Sequence, residues 1–305
     1  MICEKRPIFA LGKIKTMKQT QCNHNVGLVM EGGGMRGLFT AGVLDVLMEN
    51  GIEFPCATGV SAGACFGVNL KSRQIGRALR YNVRMAGDRR YMSLYSLVTT
   101  GDIAGAEFCY HTMPGEIDVF DVEEYGRNPM QFHVVCTDID TGEAVYRNID
   151  HIDYEALEWI RASASLPIVS RPVLLDGRRL LDGGVADAIP LRHMESIGHD
   201  RNLVIVTQPM GFRKPATRHA WAYRLLCRKY PTLANQLIHR PEMYNAQLEY
   251  VERQARDKKI LLIAPPEKLD IGRVEQNPKQ LKIIYNLGRK ICTEQLASIQ
   301  AFLAK

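Results

Sequence analysis

Two short apolar runs, each broken by glycine and followed at once by a helical pattern, set the strongest constraint on this chain. Val26-Gly27-Leu28-Val29-Met30 has the form of a buried strand. It ends in Glu31-Gly-Gly-Gly-Met-Arg-Gly37, which is too rich in glycine for helix or strand. Leu38 to Glu49 then reads as a mostly buried helix stopped by Asn50-Gly51, residues suited to a left-handed cap. A second strand, Cys56 to Val60, runs into Ser61 and a helix start of small residues, Ala62-Gly63-Ala64-Cys65. Strands alternating with helices ask for a mainly parallel sheet covered on both faces. The expected fold class is α/β, a three-layer α/β/α sandwich.

The rest of the chain fits that frame. Strands are expected at 131–137, 143–147, 171–175, 180–181, 203–207 and 259–264, with Asp140-Thr-Gly142 and Asp176-Gly177 turning two pairs into hairpins. Helices are expected at 154–163, 217–229, 242–256 and 278–303. Residues 1–25 lack periodicity and read as a lead-in arm, with Met17 an alternative start. Residues 26–207 read as the catalytic core, and 208–305 as a helical and strand extension packed on the same domain. No repeat or low-complexity tract interrupts the 305 residues.

Composition removes several classes. Hydrophobic residues at 46% and charged residues at 24% are those of a globular domain and exclude a disordered tail or a collagen-like repeat. A net charge of +6 is too weak to imply nucleic acid. The longest uncharged stretch, Phe54 to Leu70, falls short of the ~20 apolar residues of a spanning helix and holds Pro, Gly, Ser and Thr. Eight scattered cysteines without a C-x-x-C pair read as free thiols in a reducing compartment, with no metal. A cytoplasmic protein is expected.

Chemistry is expected at three places. Gly59-Val-Ser61-Ala-Gly63 sits between a strand and a helix. A serine on so sharp a turn presents its hydroxyl outward, and Gly59 and Gly63 remove side chains that would collide. The helix N-terminus behind it adds partial positive charge. The same five residues also suit a glycine-rich packing turn. Gly32, Gly34 and Gly37 satisfy G-x-G-x-x-G, but the acid at Glu53 precedes the second strand, whereas a ribose-binding acid ends one. Three consecutive glycines with Arg36 better suit a run of backbone N–H groups that binds a developing anion. Asp182 closes the apolar pair Leu180-Leu181 ahead of Gly183-Gly184, where partial desolvation would make a carboxylate a better base, and a plain turn fits equally.

The order of these motifs resembles the patatin-like phospholipase family: G-G-G-x-R-G after the first strand, G-x-S-x-G about 25 residues on, and D-G-G beyond residue 180. Cys136-Thr-Asp-Ile-Asp-Thr-Gly-Glu143 and Arg161-Ala-Ser-Ala-Ser-Leu-Pro167 resemble its strand and pre-turn segments. The resemblance spans Val26 to Thr207, and Gly184 stands where many members carry alanine. It implies hydrolysis of lipid acyl esters without cofactor, with Ser61 as nucleophile and Asp182 as general base. It also implies an oxyanion hole from Gly32, Gly33, Gly34, Arg36 and Gly37, joined by the N–H of Ala62.

Two rivals remain at this stage. A Ser–His–Asp triad needs the order serine, acid, histidine, which His219 or His239 satisfies. A non-catalytic module binding nucleotide or membrane would need neither Ser61 nor Asp182. Finally, residues 201–241 hold eight Lys/Arg and no Asp/Glu. Within them Arg218, Arg224, Arg228 and Lys229 interleave with Trp221, Tyr223, Leu225, Leu226 and Tyr230, a pattern for peripheral contact with an anionic membrane.

Overall fold

The computed structural model describes residues 26–304, and the expected N-terminal arm lies outside them. Eight strands form one sheet: β1 (Val26–Met30), β2 (Cys56–Val60), β3 (Gln131–Asp138), β4 (Ala144–Asn148), β5 (Val173–Leu175), β6 (Arg178–Asp182), β7 (Arg201–Ile205) and β8 (Ile260–Ile263). The order is β5-β6-β3-β2-β1-β7-β8, with β4 also paired to β3. The run β3-β2-β1-β7-β8 is parallel throughout, and β4, β5 and β6 are antiparallel additions. The sheet is therefore mainly parallel, as the alternation of strands and helices predicts.

The helices are α1 (Gly37–Glu49), α2 (Ala62–Lys71), α3 (Arg77–Arg84), α4 (Leu94–Thr100), α5 (Val122–Arg127), α6 (Tyr154–Ala164), α7 (Leu191–Ser196), α8 (Ala220–Leu226), α9 (Pro231–Arg256) and α10 (Pro278–Leu303). Successive side chains of a strand face opposite ways, and β1 shows where they go. Leu28 and Met30 join one core with Phe39 and Leu44 of α1 and Ile284 and Ile299 of α10. Val29 joins a second core with Met194 of α7 and Tyr244, Leu248 and Val251 of α9. Two cores on two faces of one sheet make the three layers.

The turns obey their residues. Asp176 and Gly177 both have positive φ, 49° and 72°, the geometry of a two-residue hairpin whose twist matches its strands. The expected helix at 217–229 shrinks to α8, while the one expected from 242 begins at Pro231 and runs through Pro241. Proline costs a helix one hydrogen bond, but both halves of α9 are anchored, Leu233 and Leu237 in one cluster and Tyr244 and Leu248 in another. Helices α3, α4, α5 and α7 and a π-helical segment, Phe108–Ile117, fall where no periodicity was legible.

Candidate active site

Ser61 and Asp182 meet because β3 shares one edge between two strands. Val60 of β2 lies opposite Val135, and Asp182 of β6 lies opposite the next residue, Cys136. The residue after Val60 is thereby delivered to the last residue of β6. Ser61 turns the chain at φ 55°, ψ −120°, a left-handed conformation that costs a non-glycine residue on the order of 1–3 kcal/mol. The turn closes only because Gly63 has no side chain, since a Cβ there would stand 2.5 Å from the Met30 carbonyl oxygen. The Ser61 N–H is held by the Ser163 hydroxyl at 2.9 Å, which itself donates to the Val135 carbonyl at 2.6 Å.

The Asp182 carboxylate is buried and accepts a hydrogen bond from the Gly184 N–H at 2.8 Å, and the Ser61 hydroxyl stands close enough to it to draw its pKa down. Its own N–H donates to the Ser165 carbonyl at 2.9 Å. Burial raises its pKa above the ordinary carboxylate value, opposed by the nearby Arg240 guanidinium, the Ser61 hydroxyl and the bond from Gly184. A carboxylate so placed is suited to take a proton from the neighbouring hydroxyl.

The glycine loop crosses above this pair. A Cβ on Gly32 would lie 2.9 Å from the Ser61 Cβ, so only glycine lets the backbone come this close. Ile205 takes the N–H of Glu31 and Arg273 that of Met35, leaving those of Gly32, Gly33 and Gly34 between them without a backbone acceptor among the described residues. Ala62 opens α2, where a first-turn N–H has no intrahelical partner. Gly37 is different: its N–H bonds to the carbonyls of Gly34 and Met35, and its missing side chain makes room for Ala62. It packs the loop rather than facing Ser61. Gly59 and Gly183 likewise admit backbone, the carbonyls of Gly63 and Val135.

Ser61, Asp182 and the loop line a cavity of about 170 Å³, whose far wall is apolar: Phe66, Met113, Phe120, Leu157 and Ile160 among others. Part of that wall is the π-helical segment, through Cys109, Tyr110, Met113 and Pro114. No histidine lines the cavity among the described residues, and His219 and His239 are exposed. Arg218, Arg224, Arg228 and Lys229 are exposed and line no part of it. Trp221, Leu225 and Leu226 beside them are exposed as well, but Tyr223 and Tyr230 pack against Cys227 and Leu233.

Sequence reasoning passed over other groups at the site. Glu31 is buried beside the loop, taking hydrogen bonds from the Thr207 N–H at 2.6 Å and the Tyr244 hydroxyl at 2.9 Å. Burial pushes its pKa up. Lys214, Arg240 and Arg273 line the same cavity as Ser61. Two of these, Lys214 and Arg240, belong to the acid-free run 201–241, so its excess charge was the available signal.

Known proteins match in the same places. A family model described as Patatin-like phospholipase matches residues 28–194, and one described as a domain of unknown function, DUF6363, matches 230–304. The chain is 27% identical over 297 residues to the Escherichia coli K12 protein "Uncharacterized protein YjjU", covering 92% of this chain and 79% of that one. It is also 27% identical over 298 residues to "Lysophospholipase nte1" of Aspergillus niger, covering 91% of this chain and 18% of that one. The chain thus spans under a fifth of that fungal protein. Among solved structures, VipD from Legionella pneumophila superposes with a TM-score of 0.45 at 13% identity, over 90% of this chain and 67% of that one.

Proposed function

The chain belongs to the patatin-like phospholipase family and is a lipid ester hydrolase, and from that premise we propose that it works through a Ser61–Asp182 dyad and an acyl-enzyme. The observation that carries the reading is Ser61, held on a positive-φ turn and brought beside a buried carboxylate by the shared edge of β3. Asp182 takes the proton as Ser61 Oγ attacks the ester carbonyl. The oxyanion forms under the N–H groups of Gly33, Gly34 and Ala62, each donor worth about 2.7–4 kcal/mol of barrier. The alcohol leaves with a proton from Asp182, and water, deprotonated by the same carboxylate, releases the fatty acid. The apolar wall takes the acyl chain. A triad reading lacks support, because no described histidine reaches the cavity.

The substrate class is a phospholipid or lysophospholipid, cleaved in the manner of a phospholipase A or lysophospholipase; the fungal relatives carry the latter name. No helix among the described residues is long and apolar enough to cross a membrane. The reading includes peripheral contact with the inner face of the membrane through α8 and its flanks, where Arg218, Arg224, Arg228 and Lys229 stand beside exposed Trp221, Leu225 and Leu226. Six described cysteines, all unpaired, agree with a reducing compartment.

The test is mass spectrometry of fatty acids released from phospholipid, lysophospholipid and monoacylglycerol panels by the enzyme and by Ser61→Ala. Release by the former alone is expected. Equal release by both, or none by either, would overturn the reading.

A further inference from the structure

Besides Arg77, which is paired with Asp118, four cations line the cavity, and they come from four separate segments. Arg36 follows the glycine loop, Lys214 lies between β7 and α8, Arg240 is on α9, and Arg273 is on the loop before α10. Of the four, only Arg36 falls within the segment matched to the patatin-like family; Arg240 and Arg273 belong to the part matched to a domain of unknown function. The fold holds each in place. The Arg273 carbonyl accepts the Met35 N–H at 3.1 Å, which ties its loop to the glycine loop. Arg240 donates through Nε to the Gly184 carbonyl at 2.6 Å, beside the Asp182 turn.

The protein balances their charge only in part, through the buried carboxylates Glu31 and Asp182. None of the four forms an ion pair among the described residues. The cavity's carboxylates are Glu31 and Asp182, both committed to hydrogen bonds and both pushed toward the neutral form by burial. The Arg36 Nε is buried without any partner. Burial and the neighbouring guanidinium groups of Arg240, Arg273 and Arg36 hold Lys214 down to about 7, against the pull of Glu31. Four cations pressed together, without a salt bridge and facing only two buried carboxylates, are a site made for an anion that arrives with the substrate.

A cationic headgroup finds no such place. Tyr244 offers an aromatic face of the sort that binds a quaternary ammonium, but the Lys214 ammonium already lies 3.2 Å from its ring centre. No uncommitted carboxylate lines the cavity to take its place.

We propose that Arg36, Lys214, Arg240 and Arg273 form a phosphate-recognition subsite beside the ester, selecting acyl esters with a net-negative headgroup over those carrying choline. The proposal rests on the hydrolase reading for its substrate, and its test separates the two. Binding is measured with Ser61→Ala and three lipids of one acyl chain: 1-acylglycerol 3-phosphate, the phosphocholine equivalent and the uncharged monoacylglycerol. The phosphate monoester should bind at least about tenfold tighter than either, as charge-assisted hydrogen bonds warrant. In the active enzyme, Arg273→Gln and Lys214→Gln should each lower the kcat/KM ratio of phosphate monoester to monoacylglycerol by about tenfold, with Arg273→Lys recovering part of it. Equal binding of the three lipids by Ser61→Ala overturns the subsite, whatever the wild type hydrolyses. Selective binding without any turnover upholds the subsite and sinks the hydrolase reading. Inorganic phosphate binding as tightly as the lipid would make this a free-phosphate site and also overturn the proposal.

Discussion

The two halves of the candidate active site are built from different materials. Up to α7 the contribution depends on backbone geometry, a loop of three glycines, a serine turned at positive φ and an aspartate ending a strand, with Arg36 its one unpaired cation beside the loop. From β7 onward it is charge, carried on long side chains from a loop, a helix and another loop. Backbone chemistry demands glycine at fixed spacing, since a Cβ on Gly32 or Gly63 would collide within 3 Å. Charge makes no such demand, because an arginine reaches its target from many positions. The first half therefore leaves a motif in the sequence, and the second leaves only a surplus of basic residues.

The hardest blow to this comparison falls on Ser61. Ser61→Ala should abolish acyl-enzyme formation and cost on the order of 10⁶ in kcat, as removal of a serine nucleophile does. Cys65 lies one turn on in α2 but should not substitute, since burial pushes its thiol up to about 12 and leaves it protonated. Intact-protein mass spectrometry after a fluorophosphonate probe checks both points. Labelling of the variant would refute them.

Next comes Asp182→Asn, which keeps the shape and loses the proton acceptor. Turnover of a short ester should fall ~10²–10⁴-fold, and combined with Ser61→Ala it should add nothing further. His219→Ala and His239→Ala should retain the rate. The pH profile sharpens the assignment. The base must be ionised to act, and burial raises its pKa, so kcat/KM should fall with acid at a pH above the ordinary aspartate value of about 3.9. A collapse in either histidine variant with Asp182→Asn still active would replace the dyad by a triad.

What was legible follows from the same contrast. β1 and β2 are short apolar runs ended by glycine or by Ser61, and α10 is a long amphipathic run opened by Asn277 and Pro278; their limits are those the sequence announces. Pro241 hid the first eleven residues of α9, and with them the helical placement of Arg240. The π-helical wall carries Pro114 and Gly115, which read as a break. The basic run 201–241 was visible, but its division was not. Lys214 and Arg240 turn to the active site while Arg224 and Arg228 face solvent, a choice made by tertiary packing alone.

A smaller effect is expected where backbone and side chain meet. Ser163 bridges the Ser61 N–H and the Val135 carbonyl, both buried. Ser163→Ala leaves that N–H without its partner, at a cost of about 1–3 kcal/mol. Denaturant unfolding should report the loss as a lower midpoint with unchanged slope. An unaltered midpoint would show that the turn holds without it.

The smallest expected effect lies on the surface and tests the division of the basic run. Helix α8 has no buried residue, and its Trp221, Leu225 and Leu226 are 65%, 62% and 62% exposed. An apolar face this open beside Arg224 and Arg228 suits an anionic lipid surface, where each basic residue contributes about 1 kcal/mol. Arg224→Gln and Arg228→Gln should therefore each weaken binding to phosphatidylserine-containing vesicles about fivefold. Raising the ionic strength should weaken the wild type, because charges outside the protein interior are screened. Arg240→Gln should leave vesicle sedimentation untouched, since that guanidinium is spent on the cavity. Losses of equal size from Arg224→Gln and Arg240→Gln would mean that the run acts as one surface, and the partition between membrane and active site would fail.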